Sequence, residues 1–291
     1  IELLRNLLRT SHARSLTSKH GLNMIQKVLV WFIQFGPSTK RWFWRIWYNA
    51  FANKSKDHSF RFMNYGYAED GFNPEIPEKD KAERYPIQLY HHTSTQIELS
   101  GKKLLEVGCG RGGGASYIQH QLKTESVVGM DISESAIKLC KSSHEIDGLE
   151  LIIGDSEKIP FEKETFDAVL NVESSHCYGN VTSFFSEVQR VLKPEGFFLW
   201  CDFRSHNEMK RFFKLTDDVG LVLVKEVDIT GNILEALDLL TPGRAEQIDT
   251  HVPKIIRNVF RSYAGLRGSS VHDAFLTGDL IYKSAVFQRG L

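Results

Sequence analysis

The segment Lys103-Leu-Leu-Glu-Val-Gly-Cys-Gly-Arg-Gly-Gly-Gly-Ala115 constrains this chain more than any other stretch of it. Leu104, Leu105 and Val107 predict a short buried strand, the glycines after them a turn whose backbone comes close to a ligand, and residues 115–121 a helix. A strand, a glycine turn and a helix in that order present backbone N–H groups to a nucleotide-type cofactor. Asp131 follows Gly112 by nineteen residues, at the end of the apolar run Val127-Val128-Gly129-Met130. The glycines fit two patterns. Glu106-x-Gly108-x-Gly110-x-Gly112 sets an acid on the strand and spaces the glycines by two, whereas Gly108, Gly110 and Gly113 match the dinucleotide spacing. The glycines alone therefore leave the cofactor open.

From residue 101 onward, strand and helix patterns alternate at the pace of a parallel sheet. Strands are expected at 103–107, 126–130, 150–153, 166–172, 196–203, 220–229 and 279–288, with helices near 112–121, 133–143, 180–192 and 205–219. The fold class that follows is α/β, a doubly wound, seven-stranded, mostly parallel sheet whose last strand runs antiparallel. Residues 230–275 are too long for a loop and mostly helical in pattern, which predicts a cap or lid. The domain division expected is a basic aromatic arm over 1–60 and one cofactor-binding domain over 61–291. Pro74 and Pro77 mark a linker before a helix at 79–98.

With 291 residues, 42% of them hydrophobic, the chain can bury one full core without metal or disulfide. Its 36 Lys and Arg balance 36 Asp and Glu, which gives no reason to expect a nucleic acid partner. The charge is uneven, however: residues 1–61 hold eleven Lys/Arg against Glu2 and Asp57. Residues 1–20 have the composition of a targeting segment or of a loose basic arm. Residues 22–52 mix Trp and Phe with Lys and Arg, as an interfacial helix does; membrane contact and packing on the core are both open for them. Cys109, Cys140, Cys177 and Cys201 lack disulfide or metal spacing and predict reduced thiols of an intracellular, cytoplasmic protein. No His/Cys/Asp group has metal-ligand spacing, so no metal is expected.

Ligands of such a sheet bind beyond the carboxyl ends of its strands. Asp131 is placed there to accept from two ribose hydroxyls, with Ser133 free to cap the next helix. Asp155, ending the third strand, suits an exocyclic amine, and Ser156 frames the ring. The fourth strand, 166–172 with Glu173 after it, ends beside the reacting end of the cofactor. Leu192-Lys193-Pro194-Glu195-Gly196 predicts a helix stop and turn into strand five.

Glu106-x-Gly108-x-Gly110, Asp131, Gly154-Asp155 with Pro160-Phe161, Phe166-Asp167 and Leu192-Lys193-Pro194-x-Gly196 resemble the ordered motifs of class I S-adenosylmethionine-dependent methyltransferases. That resemblance spans about 103–203 and implies S-adenosyl-L-methionine rather than NAD. It implies that Asp131 holds the ribose, Asp155 and Ser156 the adenine edge, and Gly108, Gly110 and Asn171 the methionine portion. Glu106, Cys109 and Ile132 complete the expected strand-tip set; for Tyr65 and Tyr67 covering the cofactor and packing in the core are both open, and Tyr90 is expected to reach the methionine carboxylate or the acceptor. His91 and His92 adjoin Tyr90, and at most one of them can line the site. A narrower likeness rests on Trp44 to Tyr48, Asn64 to Asp70, Leu89 to Gln96, Gly112 to Tyr117 and Leu170 to Tyr178. These are similar to the phthiotriol and phenolphthiotriol dimycocerosate methyltransferases, a family that methylates a hydroxyl on a long lipid.

A neutral hydroxyl must lose its proton as it attacks, so a general base is expected near the end of strand four. His176 fits that role, with Glu173 to orient or assist. The acceptor expected is an oxygen on a lipophilic small molecule or lipid. The alternatives are an N- or C-methyltransferase of an alkaloid, quinone or sterol-type acceptor, and a cofactor-binding scaffold without turnover.

Overall fold

The computed structural model describes residues 61–290, apart from 144–145, 253 and 255–256. The basic aromatic arm expected over 1–60, including the interfacial segment 22–52, lies outside the described residues.

The glycine turn sits where the sequence places it. Strand β1 (Lys103–Val107) leads through it into helix α2 (Gly113–Gln121). Helix α1 (Arg84–Ser94) precedes β1 and is entered from a 3-10 turn at Glu78–Glu83. After α2 come β2 (Ser126–Asp131), α3 (Glu134–Ser143), β3 (Leu149–Ile153), β4 (Phe166–Val172), α4 (Val181–Val191) and β5 (Leu192–Arg204). The chain continues with α5 (His206–Asp218), β6 (Leu221–Asp228), three helices α6 (Thr230–His251), α7 (Arg257–Tyr263) and α8 (Ser270–Thr277), and β7 (Ile281–Arg289).

The seven strands form one sheet in the order β3-β2-β1-β4-β5-β7-β6. Strands β1 to β5 are mutually parallel, and β7 runs antiparallel between β5 and β6. The strand order reverses between β1 and β4, paired through Leu105 opposite Val169. A crevice opens beyond the carboxyl ends of strands at such a reversal.

Alternate residues of each strand face opposite layers, as a sheet covered on both sides requires. Leu104, Leu170, Leu199 and Tyr282 pack with Ile87 and Leu89 of α1, Ile118 of α2 and Ile233 of α6. Leu105, Val169, Trp200 and Phe287 pack on the other side with α4 and α5. Helix α4 buries Phe184, Phe185, Val188 and Val191, one stripe at helical spacing, and Asn180 caps it by accepting from the Ser183 N–H. Helix α5 begins with a capping box, Ser205 and Glu208 each satisfying the other's backbone N–H.

The Leu192–Gly196 motif differs from its expected role as a turn. Leu192 already pairs with Phe166, and the register then jumps to Ala168 opposite Phe197. Residues 193–196 form a bulge inside β5, with Glu195 at φ 60°. Lys193 Nζ donates to Asp167 Oδ1 at 2.8 Å, and Asp167 Oδ2 accepts from the Lys103 N–H at 2.8 Å. The motif thus ties three strands together at the end of the sheet away from the crevice.

The helical stretch after β6 is also more than a detached lid. Ile233 and Leu237 of α6 and Phe275 of α8 belong to the same core cluster as the sheet residues. Among the described residues no helix is long and apolar enough to cross a membrane.

Candidate functional site

A cleft of about 650 Å³ lies at the reversal point, lined by the tips of β1 to β4 and by residues 61–64. That volume falls in the usual range for small-molecule and cofactor sites. The first wall is the glycine turn. Gly108 has φ 80°, and a Cβ there would lie 2.3 Å from Ser174 Oγ, so the chain can pass only without a side chain. Gly114 faces a different neighbour: its Cβ would lie 2.0 Å from the Tyr90 ring. Gly114 therefore admits α1 and Tyr90 against the start of α2, and Gly113 admits Arg61 and Phe62.

Tyr90 lines the cleft and donates to Glu106 Oε1 at 2.8 Å. Glu106 is fully buried beneath the turn. Burial raises its carboxyl to about 7 against the Tyr90 hydrogen bond, which pulls it down. At the tip of β2, Asp131 accepts from the Gly110 N–H at 2.9 Å through Oδ2 and from the Ser133 N–H at 2.8 Å through Oδ1. Burial raises its carboxyl above the ordinary value. Each oxygen keeps an acceptor position, since an ionised carboxylate offers about four. Ser133 takes the helix-capping role, accepting from Ala136 N–H. Ile132 beside it lines the cleft with 56% of its surface exposed, an apolar side chain open to a flat ring. Asp155 and Ser156 line the far side, where Asp155 Oδ1 accepts from the Glu157 N–H at 2.9 Å.

Asn171, fully buried in β4, stands behind the wall rather than in it. Its amide donates to Val107 O, Ser174 Oγ and Tyr178 OH at 2.7 to 2.9 Å, and Ser174 and Tyr178 line the cleft in its place. Gly108, Cys109, Gly110, Asp131, Ile132, Asp155, Ser156, Tyr90 and Glu173 are thus brought together around one cavity, with Glu106 and Asn171 supporting them.

Tyr65 and Tyr67 are corrections to the expected cover. Neither lines the cleft. Tyr65 packs on Phe203 and Phe275 with ring centroids 5.4 and 5.9 Å away, and Tyr67 stacks on His92 at 4.4 Å. Their rings are drawn into the apolar layer between sheet and helices, where burial of so much carbon outweighs a place in a wet cleft. His91 and His92 are likewise removed, His91 Nδ1 lying 2.8 Å from Tyr117 OH. The covering residues are instead Arg61, Phe62, Met63 and Asn64, just before the tyrosines.

At the tip of β4, Glu173 lines the cleft at φ 45°, an uncommon conformation for a residue with a Cβ. Its Oε1 accepts from the Tyr65 N–H at 2.8 Å and from Tyr282 OH at 2.9 Å. Burial raises its carboxyl to about 7. His176 lies in the 3-10 turn that follows, in sequence between the cleft residues Ser174 and Cys177 but not itself among the lining residues, with a quarter of its side chain exposed. Its Nδ1 is 2.8 Å from Oδ1 of Asp202, which is fully buried at the end of β5.

Asp202 was not singled out in the sequence. Its Oδ2 accepts from Ser175 Oγ at 2.7 Å and from the His176 N–H at 3.0 Å, and Arg204 Nη1 lies 3.2 Å away. The signal was present as Asp202-Phe203-Arg204, two charges closing an apolar strand. Burial would lift the Asp202 carboxyl, but His176 and Arg204 hold it far below the usual range. Burial would likewise lower the His176 ring, yet Cys177 and Asp202 beside it raise it to about 10. An aspartate so placed fixes one ring nitrogen as donor and stabilises the imidazolium. The Glu173 carboxylate and the His176 ring also interact through their charges.

Known proteins match this arrangement. A model of the methyltransferase domain matches residues 105–200. The phthiotriol/phenolphthiotriol dimycocerosates methyltransferase of Mycobacterium tuberculosis is 36% identical over 253 residues, covering 87% of this chain and 94% of its own. The fatty-acid O-methyltransferase of Mycolicibacterium smegmatis is 36% identical over 224 residues, covering 77% and 82%. Among solved structures, geranyl diphosphate C-methyltransferase from Streptomyces coelicolor A3(2), crystallised with S-adenosyl-L-homocysteine, superposes with a TM-score of 0.62 at 17% identity, covering 84% of this chain and 97% of its own. At that identity the superposition shows the fold. The chain is a S-adenosyl-L-methionine-dependent methyltransferase, an enzyme belonging to the same family as the phthiotriol/phenolphthiotriol dimycocerosates methyltransferases.

Proposed function

We propose that this enzyme methylates a hydroxyl oxygen on a lipophilic acceptor, with His176 as general base and Asp202 as the residue that orients it. The observation that carries the reading is the 2.8 Å contact between His176 Nδ1 and a fully buried Asp202 whose other oxygen is already saturated by protein donors. Nδ1 is thereby committed to donating, so the reading has the acceptor's proton received at the other ring nitrogen; Cys177 also hydrogen-bonds the ring.

The strand tips fit the cofactor. Asp131 keeps acceptor positions for a vicinal diol, Asp155 sits across the cleft for the adenine amine, and Ile132 offers an apolar face to the ring. Gly108 and Gly110 would pass beneath the methionine portion, with Glu106 and Asn171 holding the wall from behind. When bound, the cofactor supplies a methyl group on a sulfonium, already activated for in-line displacement. The protein's own task is to hold acceptor and cofactor in line and to receive the acceptor's proton on His176. Phe62, Met63 and the lipid acceptors in the relatives' names support a greasy acceptor. A lipid acceptor also gives the aromatic and cationic residues 22–52 a use at a membrane surface, which sedimentation with liposomes, with and without residues 1–52, tests directly.

A second reading is favoured by one observation: the ring that Asp202 keeps charged would pair well with a carboxylate, which needs no base. Labelled methyl transfer to a panel of long-chain alcohols, lipid diols and fatty acids separates the two. Label in ethers supports the hydroxyl reading; label confined to esters replaces it, and label on nitrogen or carbon removes both.

A further inference from the structure

The peptide joining Asn64 to Tyr65 is gripped from both sides. Its carbonyl accepts from Arg244 Nη2 at 2.7 Å, and its N–H donates to Glu173 Oε1 at 2.8 Å. The two grips come from different layers. Arg244 belongs to α6, and its Nη1 also donates to the Ala264 carbonyl at 3.1 Å, after α7. Glu173 ends β4 and shares the same oxygen with Tyr282 OH of β7.

What this peptide holds is the wall of the cleft made by residues 61–64. Asn64 cannot replace the grip with its side chain, because Nδ2 donates to Pro86 O at 3.1 Å and Oδ1 accepts from the Gly66 N–H at 2.9 Å. A cation on the carbonyl polarises the peptide and strengthens the bond its N–H gives to the carboxylate, so the two contacts reinforce each other. The left-handed backbone at Glu173 turns its carboxylate toward this peptide, a conformation that persists only where its surroundings impose it.

We propose that Arg244 is a positioning residue for cofactor binding, clamping the Asn64–Tyr65 peptide with Glu173 and so setting the wall of residues 61–64 against the cofactor. Arg244 itself does not line the cleft. The proposal rests on the reading that the cofactor occupies this cleft, and it is independent of the acceptor.

The test is calorimetric titration of the full chain with S-adenosyl-L-homocysteine, joined to hydrogen exchange of the peptide spanning 61–68. Arg244→Ala is expected to weaken binding ten- to a hundredfold and to speed exchange at Tyr65. Arg244→Lys, which can still reach one carbonyl, should recover part of the loss. Glu173→Ala, which removes the other grip, should match Arg244→Ala. The double alanine variant should be no weaker than the worse single one, because each removal already releases the peptide. Affinity and exchange in Arg244→Ala within twofold of the parent overturn the proposal, as does strict additivity in the double variant. Should Arg244→Ala fail to fold, Arg244→Lys and Glu173→Ala decide by the same measures. Absence of binding by the parent itself would reject the cleft assignment, and exchange at Tyr65 would still judge the clamp.

Discussion

The pairing of His176 with Asp202 makes a quantitative demand on the pH dependence of turnover. The ring is lifted from its ordinary 6.5 to about 10, with burial pulling down and the neighbouring Cys177 and Asp202 overriding it. At pH 7 only about one ring in a thousand is then neutral in the free enzyme. If the neutral ring takes the acceptor's proton, kcat/KM for the hydroxyl acceptor should climb about tenfold per pH unit from 6 to 9 and level near 10. A sulfonium bound nearby disfavours the imidazolium, so profiles taken with cofactor saturating should break at lower pH than those for the free enzyme. Asp202→Asn removes one of the two groups that raise the ring and leaves Cys177, which should move the break down from about 10 toward the ordinary histidine value. Because a weaker base also takes the proton less readily, the plateau should fall by ~10²-fold or more.

The same pair has a stability signature of determinate sign. A histidine raised in the fold stabilises it fully below its unfolded value of 6.5, and that contribution is lost as pH rises toward 10. Asp202, depressed in the fold, contributes above its unfolded value near 4 and loses it on acidification. Both contributions are therefore present in full only between about 4 and 6.5, and Asp202→Asn should lower the melting temperature most near pH 6 and progressively less as pH rises from 6.5 toward 10. A stopped-assay pH series on both proteins, with melting curves at the same pH values, is sufficient. A flat rate profile between pH 6 and 9 with a hydroxyl acceptor, or a break that stays put in Asp202→Asn, would refute the reasoning.

Asp131→Ala should reduce cofactor affinity by more than a hundredfold in calorimetry while the far-ultraviolet spectrum is unchanged; retained affinity would remove the ribose assignment. Gly114→Ala places a methyl inside the Tyr90 ring's volume, and overpacking of that kind typically costs about 1–3 kcal/mol, to be read from denaturant midpoints. If Gly114→Ala is as stable as the parent, the close approach of α1 is not what the third glycine serves. Glu173, raised to about 7, favours its protonated form in the fold, so its contribution is present below about 4.5 and lost as pH rises through 7. Glu173→Gln should therefore stabilise the protein at pH 8, by at most about 3 kcal/mol because the carboxyl borders solvent, and leave pH 4 unaffected; equal gains at both would refute the shift.

The fold was legible because its signals are local. The apolar runs at 104–107, 127–130 and 166–172 and the stripe of Phe184, Phe185, Val188 and Val191 specify strands and a helix from their own periodicity. The strand-tip acids were legible for the same reason, since a charge ending a buried strand has few places to go. What escaped was set by partners distant in sequence. Tyr65 and Tyr67 carry the same aromatic signal whether they face a ligand or a core, and only Phe203, Phe275 and His92, more than twenty residues away, decide for the core.

Asp202 illustrates the converse case. As a sequence feature it is one acid in Cys201-Asp202-Phe203-Arg204, indistinguishable from a solvated strand end. In the fold, the parallel pairing of β4 with β5 sets Val172 opposite Cys201, so Asp202 arrives beneath the turn that follows β4. There it meets His176 and Ser175, and its burial is tolerable only because five protein donors converge on it: Ser175 Oγ, the His176 N–H and ring, the Phe203 N–H and the Arg204 guanidinium. A carboxylate so withdrawn from water holds the His176 imidazole in one orientation and favours its charged form. The register of two strands thus sets Asp202 against His176, and moving β5 by one residue would turn Asp202 to the other layer and leave the proposed base without that carboxylate.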